Sequence, residues 1–402
     1  MEWLTLAESA LRAAQSRVPA VDPARCLGAR HPSTTCRACI EVCPRSAVTR
    51  LPAARIDPRA CDGCDACVAA CPTGAIESPA SAAAVAGWLV SIQPRREARV
   101  QCERAPGVRP GVTPPSGMLV LPCLGAVRAA DLVAACARGA TGVRMVAGKC
   151  GTCPWSSASN RGDAAVAVAR ATLALLGVGA SIGPVERMAL PGPSGRPAAL
   201  PPDDGNGAGG DADDGPTGGT DRALSRRALF GLVRSGARRA ATEVARETED
   251  PTARLSRGGR VPRWRARLDD DLRSLATGGA ETVPLPLQLG LALPVAGAAC
   301  DGCGLCVVVC PFHALSVAGA AITCAPGSCT ACGVCAEACP PGALVLQTAH
   351  AGAQPERDAV AVAGPSSPVH AERLAQRGTE ADQEIRAAAA RRLFGATSGG
   401  PA

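Results

Sequence analysis

Between residues 97 and 190, short apolar runs alternate with longer stretches in which apolar side chains recur at helical spacing. The runs at 117–122 and 143–146 read as buried strands, and the stretches at 129–138 and 163–176 as helices. That alternation predicts an open α/β sheet over 97–190. Cys136 lies on the apolar stripe of the first helix with Leu132 and Val133, so it is assigned to a core. The most apolar window, 164–183, holds Arg170 and several glycines and predicts a buried helix and a turn rather than a membrane span. Residues 1–17 form an amphipathic pattern with Glu2, Glu8, Arg12 and Arg17, lacking the basic and apolar regions of a secretory signal. Residues 191–221 are Gly/Pro/Asp-rich without periodicity and predict a flexible linker; 222–275 predicts an arginine-rich helical segment. The tail, 350–402, is polar and Ala/Gly-rich and predicts a mobile end with one short helix at 384–394.

The stretches 18–80 and 292–348 share a different pattern, set by cysteine. Sixteen of the 22 cysteines fall into four runs. Three are regular: Cys61, Cys64, Cys67 and Cys71; Cys300, Cys303, Cys306 and Cys310; Cys329, Cys332, Cys335 and Cys339. Each has x2, x2 and x3 spacings and a following proline. The fourth, Cys26, Cys36, Cys39 and Cys43, has nine residues in its first gap. Every run continues as Cys-Pro-x-x-Ala-apolar (CPRSAV, CPTGAI, CPFHAL, CPPGAL). Val21-Asp22-Pro23-Ala24-Arg25 before Cys26 parallels Ile56-Asp57-Pro58-Arg59-Ala60 before Cys61. That match makes Cys26 the first member of the stretched run, with about seven residues inserted within 27–35, and leaves Ser33 where a first cysteine normally stands.

Two tandem pairs of such runs resemble bacterial two-cluster ferredoxins. The resemblance implies two 2[4Fe-4S] units, each a short helix turning into a strand, with the fourth cysteine of a run serving the other cluster. Cluster one would then take Cys26, Cys36, Cys39 and Cys71, and cluster two Cys61, Cys64, Cys67 and Cys43. Cluster three would take Cys300, Cys303, Cys306 and Cys339, and cluster four Cys329, Cys332, Cys335 and Cys310. Zinc, usually held by two CxxC pairs, and His31 in place of Cys26 are the alternatives. Arg37 and Arg45, placed beside the first cluster, would raise its potential, whereas the apolar Val307, Val308 and Val309 would lower those of the C-terminal unit. Electrons would then run downhill from the C-terminal to the N-terminal unit.

Four further cysteines, Cys102, Cys123, Cys150 and Cys153, lie in the sheet region; Cys123 ends one apolar run and Cys150 lies just past another. Carboxyl ends of parallel strands share one edge, where such folds place ligands. The region resembles the iron–sulfur delta subunit of methyl-viologen-reducing hydrogenase, through Pro122-Cys123-Leu124-Gly125 and the segment 149–153. The family's early cysteine pair is a lone Cys102 here. A fifth iron–sulfur or other metal centre, a thioredoxin-like dithiol at Cys150 and Cys153, and buried structural cysteines all remain open. Cys324 is assigned to packing.

Composition narrows the function. About 47% of residues are apolar, mostly Ala, Val and Leu, with no Tyr, three Phe and four Trp. Thiols at this density persist where the compartment is reducing or metal holds them, which favours a cytoplasmic protein. Lys149 is the single lysine, so the arginines of 222–275 follow a chain-wide bias, and with base-stacking aromatics nearly absent no nucleic acid partner is expected. Ser225-Arg226-Arg227-Ala228-Leu229-Phe230 looks like a twin-arginine motif but lacks an apolar region after it; the segment reads as a solvated amphipathic helix or a docking face. The fold class expected is α+β and α/β multidomain, two ferredoxin-like units flanking an open α/β module, with a disordered linker and tail. The function expected is a polyferredoxin-like subunit relaying single electrons between oxidoreductases, with a molybdenum, flavin or hydrogenase-type partner. No transmembrane segment is expected, and peripheral membrane contact is compatible. The alternatives are a thiol or sulfur oxidoreductase acting at the middle cysteines and a metalloenzyme assembly factor.

Overall fold

The computed structural model describes residues 17–50, 52–109, 112–187, 259–276, 283–318, 321–348, 350–351 and 360–363. The expectations for 1–16, 191–221, Ser225 to Phe230 and 384–394 lie outside these residues.

The N-terminal unit runs β1 (Ala20–Val21), α1 (Leu27–Arg30), α2 (Ala38–Glu41), β2 (Val48–Arg50), β3 (Ala54–Ile56), α3 (Ala66–Ala70) and β4 (Ile76–Glu77). β1 and β4 pair antiparallel, with Val21 opposite Ile76, and β2 and β3 form a hairpin. The insertion after Cys26 is not open loop: its first part is α1, entirely buried. Gly28 is required there, because a Cβ would lie 2.2 Å from the Pro52 carbonyl oxygen.

The Cys-Pro-x-x-Ala repeat has a geometric cause. The residue before the alanine is left-handed in all four copies: Ser46 (φ 49°), Gly74 (58°), His313 (50°) and Gly342 (63°). That single reversed residue turns the chain so that the alanine N–H points back at the cysteine. Ala47, Ala75 and Ala314 donate to Cys43, Cys71 and Cys310 Sγ at 3.3, 3.2 and 3.2 Å. A strand starts immediately afterwards each time.

α4 (Pro79–Ser91), capped by Ser78 with proline at its first position, leads into the middle region. There β5 (Glu97–Cys102), β6 (Met118–Leu121), α5 (Ala129–Ala137), β7 (Gly142–Ala147), α6 (Ser156–Leu175) and β8 (Ser181–Arg187) follow. All pairings are parallel, in the order β6-β5-β7-β8. The 164–183 window is, as expected, the end of a helix, a turn and the start of a strand. No helix among the described residues is long and apolar enough to cross a membrane. Cys136 is 5% exposed within α5, in the sheet's main core, and burial raises its thiol to about 11.

α7 (Arg263–Leu275) lies in the described end, 259–275, of the segment expected to be arginine-rich and helical, and its apolar face is buried; the solvated or docking reading of the twin-arginine stretch lies outside the described residues. Leu268, Leu272 and Leu275 join the core of the middle sheet. Arg267 pairs with Asp131 of α5, and Arg138 with Asp271 at 3.0 Å. Arg265, 1% exposed, donates to the carbonyls of Cys329 at 2.6 Å and Pro326 at 2.5 Å. Ahead of the helix, Gly259 donates to Pro311 at 2.7 Å. The basic residues therefore staple the middle sheet to the C-terminal unit.

That unit comprises β9 (Val283–Pro284), β10 (Ala292–Ala296), α8 (Leu305–Val309), β11 (Leu315–Ala318), β12 (Ala321–Cys324), α9 (Val334–Glu337), β13 (Leu344–Thr348), β14 (His350–Ala351) and β15 (Val360–Ala363). β10 pairs with β13 as β1 does with β4, and β11 with β12 as β2 does with β3. The repeat is thus one of structure as well as sequence. β15 falls in the stretch expected to be a mobile tail, yet pairs antiparallel with β12 and covers what would be its open edge. The described residues are α+β, with one small parallel sheet among them.

Candidate metal centres

All 22 cysteines are free thiols. In the terminal units one backbone bond, used four times, decides which runs meet. The alanine that follows each fourth cysteine accepts, through its carbonyl, the N–H of a residue just ahead of a first cysteine. Asp22 ahead of Cys26 bonds Ala75 after Cys71 at 2.7 Å; Asp57 ahead of Cys61 bonds Ala47 after Cys43 at 2.8 Å. Gly297 ahead of Cys300 bonds Ala343 after Cys339 at 2.8 Å; Ala325 ahead of Cys329 bonds Ala314 after Cys310 at 2.7 Å. Each stitch joins the opening of one run to the end of the other run in its unit.

Three of the resulting quartets line cavities. Cys43, Cys61, Cys64 and Cys67 share one of about 330 Å³, Cys300, Cys303, Cys306 and Cys339 one of about 300 Å³, and Cys310, Cys329, Cys332 and Cys335 one of about 340 Å³. Cys26, Cys36, Cys39 and Cys71 are brought together as well: burial, then the Cys71, Cys26 and Cys36 charges, push the Cys39 thiol up to about 12. His31 is not in this group; its charged neighbour is Glu337, and burial lowers its pKa.

The same cause acts on the other quartets. Burial first and neighbouring thiolates next raise Cys64 and Cys306 to about 12, and raise Cys67, Cys332 and Cys335 as well. Burial and mutual repulsion thus disfavour the thiolate form, and four thiolates in one quartet require positive charge at its centre. No group of three or more His, Cys, Asp or Glu among the described residues is placed to hold a single metal ion. Four soft sulfur donors in each quartet, drawn from both runs of a unit and with backbone N–H groups aimed at Cys43, Cys71 and Cys310, fit an iron–sulfur cage.

Two details were not legible from spacing. Cys324, assigned to packing, is 1% exposed and hydrogen-bonds the thiolate of Cys329, lowering the pKa of Cys329 and raising its own. Arg45 lies at the second quartet's cavity rather than beside the first, and shares its charge with Asp62 at 3.1 Å.

The remaining four thiols sit where the strand order reverses. β5 lies between β6 and β7, and such a switch point opens a crevice at the carboxyl edge. Cys102 ends β5, Cys123 follows β6, and Cys150 and Cys153 flank the short turn after β7. All four line a cavity of about 400 Å³ with Arg104, Lys149 and Trp155. Gly148 donates to Cys102 Sγ at 3.1 Å and Gly125 to Cys123 Sγ at 3.4 Å. Burial, then Cys102, Cys153 and Cys150, raise Cys123 to about 11.

This site abuts the second terminal quartet. Cys123, Trp155 and Ala158 pack with Ala66 and Cys64, and Trp155 Nε1 donates to Asp62 at 3.2 Å. The Arg104 guanidinium covers the indole, 4.6 Å from its ring centre. Trp155 and Arg104 carry no motif, and only the structure brings them to the site.

In comparison with known families, the 4Fe-4S dicluster domain matches twice, over residues 33–75 and 299–349. No curated protein and no solved structure matches. The two matches establish two ferredoxin-type domains in an iron–sulfur electron-transfer protein.

Proposed function

We propose that the chain is a polyferredoxin-like subunit that relays single electrons between two oxidoreductases. Cys26, Cys36, Cys39 and Cys71 hold the first cluster, and Cys43, Cys61, Cys64 and Cys67 the second. Cys300, Cys303, Cys306 and Cys339 hold the third, and Cys310, Cys329, Cys332 and Cys335 the fourth. Clusters bound at these thiols supply one-electron redox chemistry. The four alanine stitches carry this assignment, because each joins a first cysteine to the partner run's fourth. The protein's own part is to bury the sulfurs, direct Ala47, Ala75 and Ala314 N–H groups at them, and exclude water.

The middle thiols form a fifth centre on this reading, as the likeness to the hydrogenase delta subunit suggests. Its contact with Cys64 supports a continuation of the same path. The donor or acceptor is a molybdenum, flavin or hydrogenase-type oxidoreductase of the cytoplasm. Anaerobic purification with iron and sulfide analysis tests the assignment. Roughly sixteen iron atoms per chain are expected for four cubanes and two to four more for a fifth centre. Zinc in place of sulfide would refute it.

A second reading has one specific support. Cys150 and Cys153 are only partly buried and line the crevice with Arg104, Lys149 and Trp155. Thiol or sulfur chemistry there would show as turnover lost on alkylation while electron relay through the terminal units persists.

A further inference from the structure

We propose that the insertion at 27–35 is a clasp that couples the first site of the N-terminal unit to both sites of the C-terminal unit. The inference rests on the cluster assignment above and adds an internal route to it. The ligand loop itself does not need the insertion, since the other three runs close with two residues in the same gap. The added residues spend their side chains elsewhere.

Arg30 is 0% exposed. Its guanidinium donates to the carbonyls of Val309 at 2.9 Å and Val308 at 3.0 Å, and to Ala24 of its own unit at 3.2 Å. Val308 and Val309 end α8, where helix carbonyls lack partners and the local charge is negative. A fully buried cation persists only when it is satisfied in this way. Four residues on, the Thr34 hydroxyl and the Thr35 N–H both bond the carboxylate of Glu337 in α9, between Cys335 and Cys339.

Between these polar anchors Leu27 packs with Leu305, Val308, Val309, Val334 and Ala338. Cys36, Cys303 and Cys332 pack against that same apolar cluster. One cysteine from each of three quartets therefore borders the same apolar cluster, each partly buried. Electron tunnelling weakens exponentially with the gap and is worst across water, so a packed apolar contact of this kind is the route that the clasp offers between the units. One electron leaves on one side as one arrives on the other; no bond is made and no proton moves. Arg30 is a positioning residue, since it holds the contact without touching a sulfur.

The test uses the full-length, cluster-loaded protein and its Arg30→Ala, Arg30→Lys and Glu337→Gln variants. Fully reduced samples are compared by EPR at two microwave frequencies, since splittings from magnetic interaction between centres do not scale with field. Iron and sulfide are counted in parallel, and amide exchange is followed over 305–309. Arg30→Ala is expected to keep its iron and sulfide, lose part of the field-independent splitting, and exchange roughly tenfold faster or more at 305–309. Arg30→Lys, lacking the fork, is expected to restore little, and Glu337→Gln to give an intermediate loss. Full iron content with splitting and exchange unchanged in Arg30→Ala would overturn the clasp alone. If Arg30→Ala does not fold, an unchanged spectrum in Glu337→Gln overturns it. A wild-type protein without sulfide would overturn both the clasp and the assignment beneath it.

Discussion

At the scale of single residues, a left-handed residue precedes the alanine of every Cys-Pro-x-x-Ala run and turns the chain there. Gly342 isolates this effect, because a Cβ there would meet nothing within 4 Å at φ 63°. Gly342→Val should thus cost about 1–2 kcal/mol from backbone strain alone, read as a lower unfolding midpoint of the loaded protein. Gly342→Asn, a residue that tolerates this region, should recover most of it. The stretched run gives a second residue-scale test. Cys26 stands with Cys36, Cys39 and Cys71, whereas His31 faces Glu337. Cys26→Ser should lower the iron content by roughly one to four atoms per chain, and His31→Gln should leave it unchanged. The reverse pattern in metal analysis would make His31 the ligand. The sequence parallel between Asp22 and Asp57 has a counterpart in the structure, since both N–H groups make the same backbone stitch ahead of Cys26 and Cys61.

Among elements, the four cysteine runs and the strands β6 and β7 were legible because each follows a short-range rule, fixed spacing or an apolar run, whereas β5 and β8, with charged residues in their runs, were not. Nor was α7. Its arginines follow the bias of the whole chain, so nothing local separates Arg265, buried against Pro326 and Cys329, from a solvated arginine. Its leucines do mark an amphipathic face, but an amphipathic face does not name what covers it. The same holds for α1 and β15, whose partners lie far along the chain, and for Trp155 at the middle site. Leu268 is 0% exposed in the shared core, so Leu268→Ala should destabilise the loaded protein by about 2–5 kcal/mol. Hydrogen exchange should then rise in α5 and around 326–329 together, because α7 touches both. Faster exchange in α5 alone would mean that the helix belongs to the middle sheet and does not staple the C-terminal unit.

On the scale of the molecule, the two kinds of region differ in what keeps them folded. The middle sheet and α7 form one large core of Val, Leu and Ala, including Val100, Leu121, Leu132, Val143, Met145 and Leu268. Each terminal unit has only small apolar clusters, in which the cysteines themselves are members. Units of that size bury too little to fold firmly alone, so metal held by their cysteines supplies folding energy that is lost when metal leaves. Anaerobic chelation of the loaded protein should therefore act unevenly. Amides of 20–77 and 292–348 should lose protection as iron leaves, while 97–187 stays protected, as followed by hydrogen exchange with mass spectrometry. Carrying Cys64 and Cys123 in one packed cluster, the border at Ala66 and Ala158 should be the part of the middle region that loosens first. Uniform loss across all three regions would mean that the middle core draws its stability from the clusters too, and that the sheet is no independent platform for its four thiols.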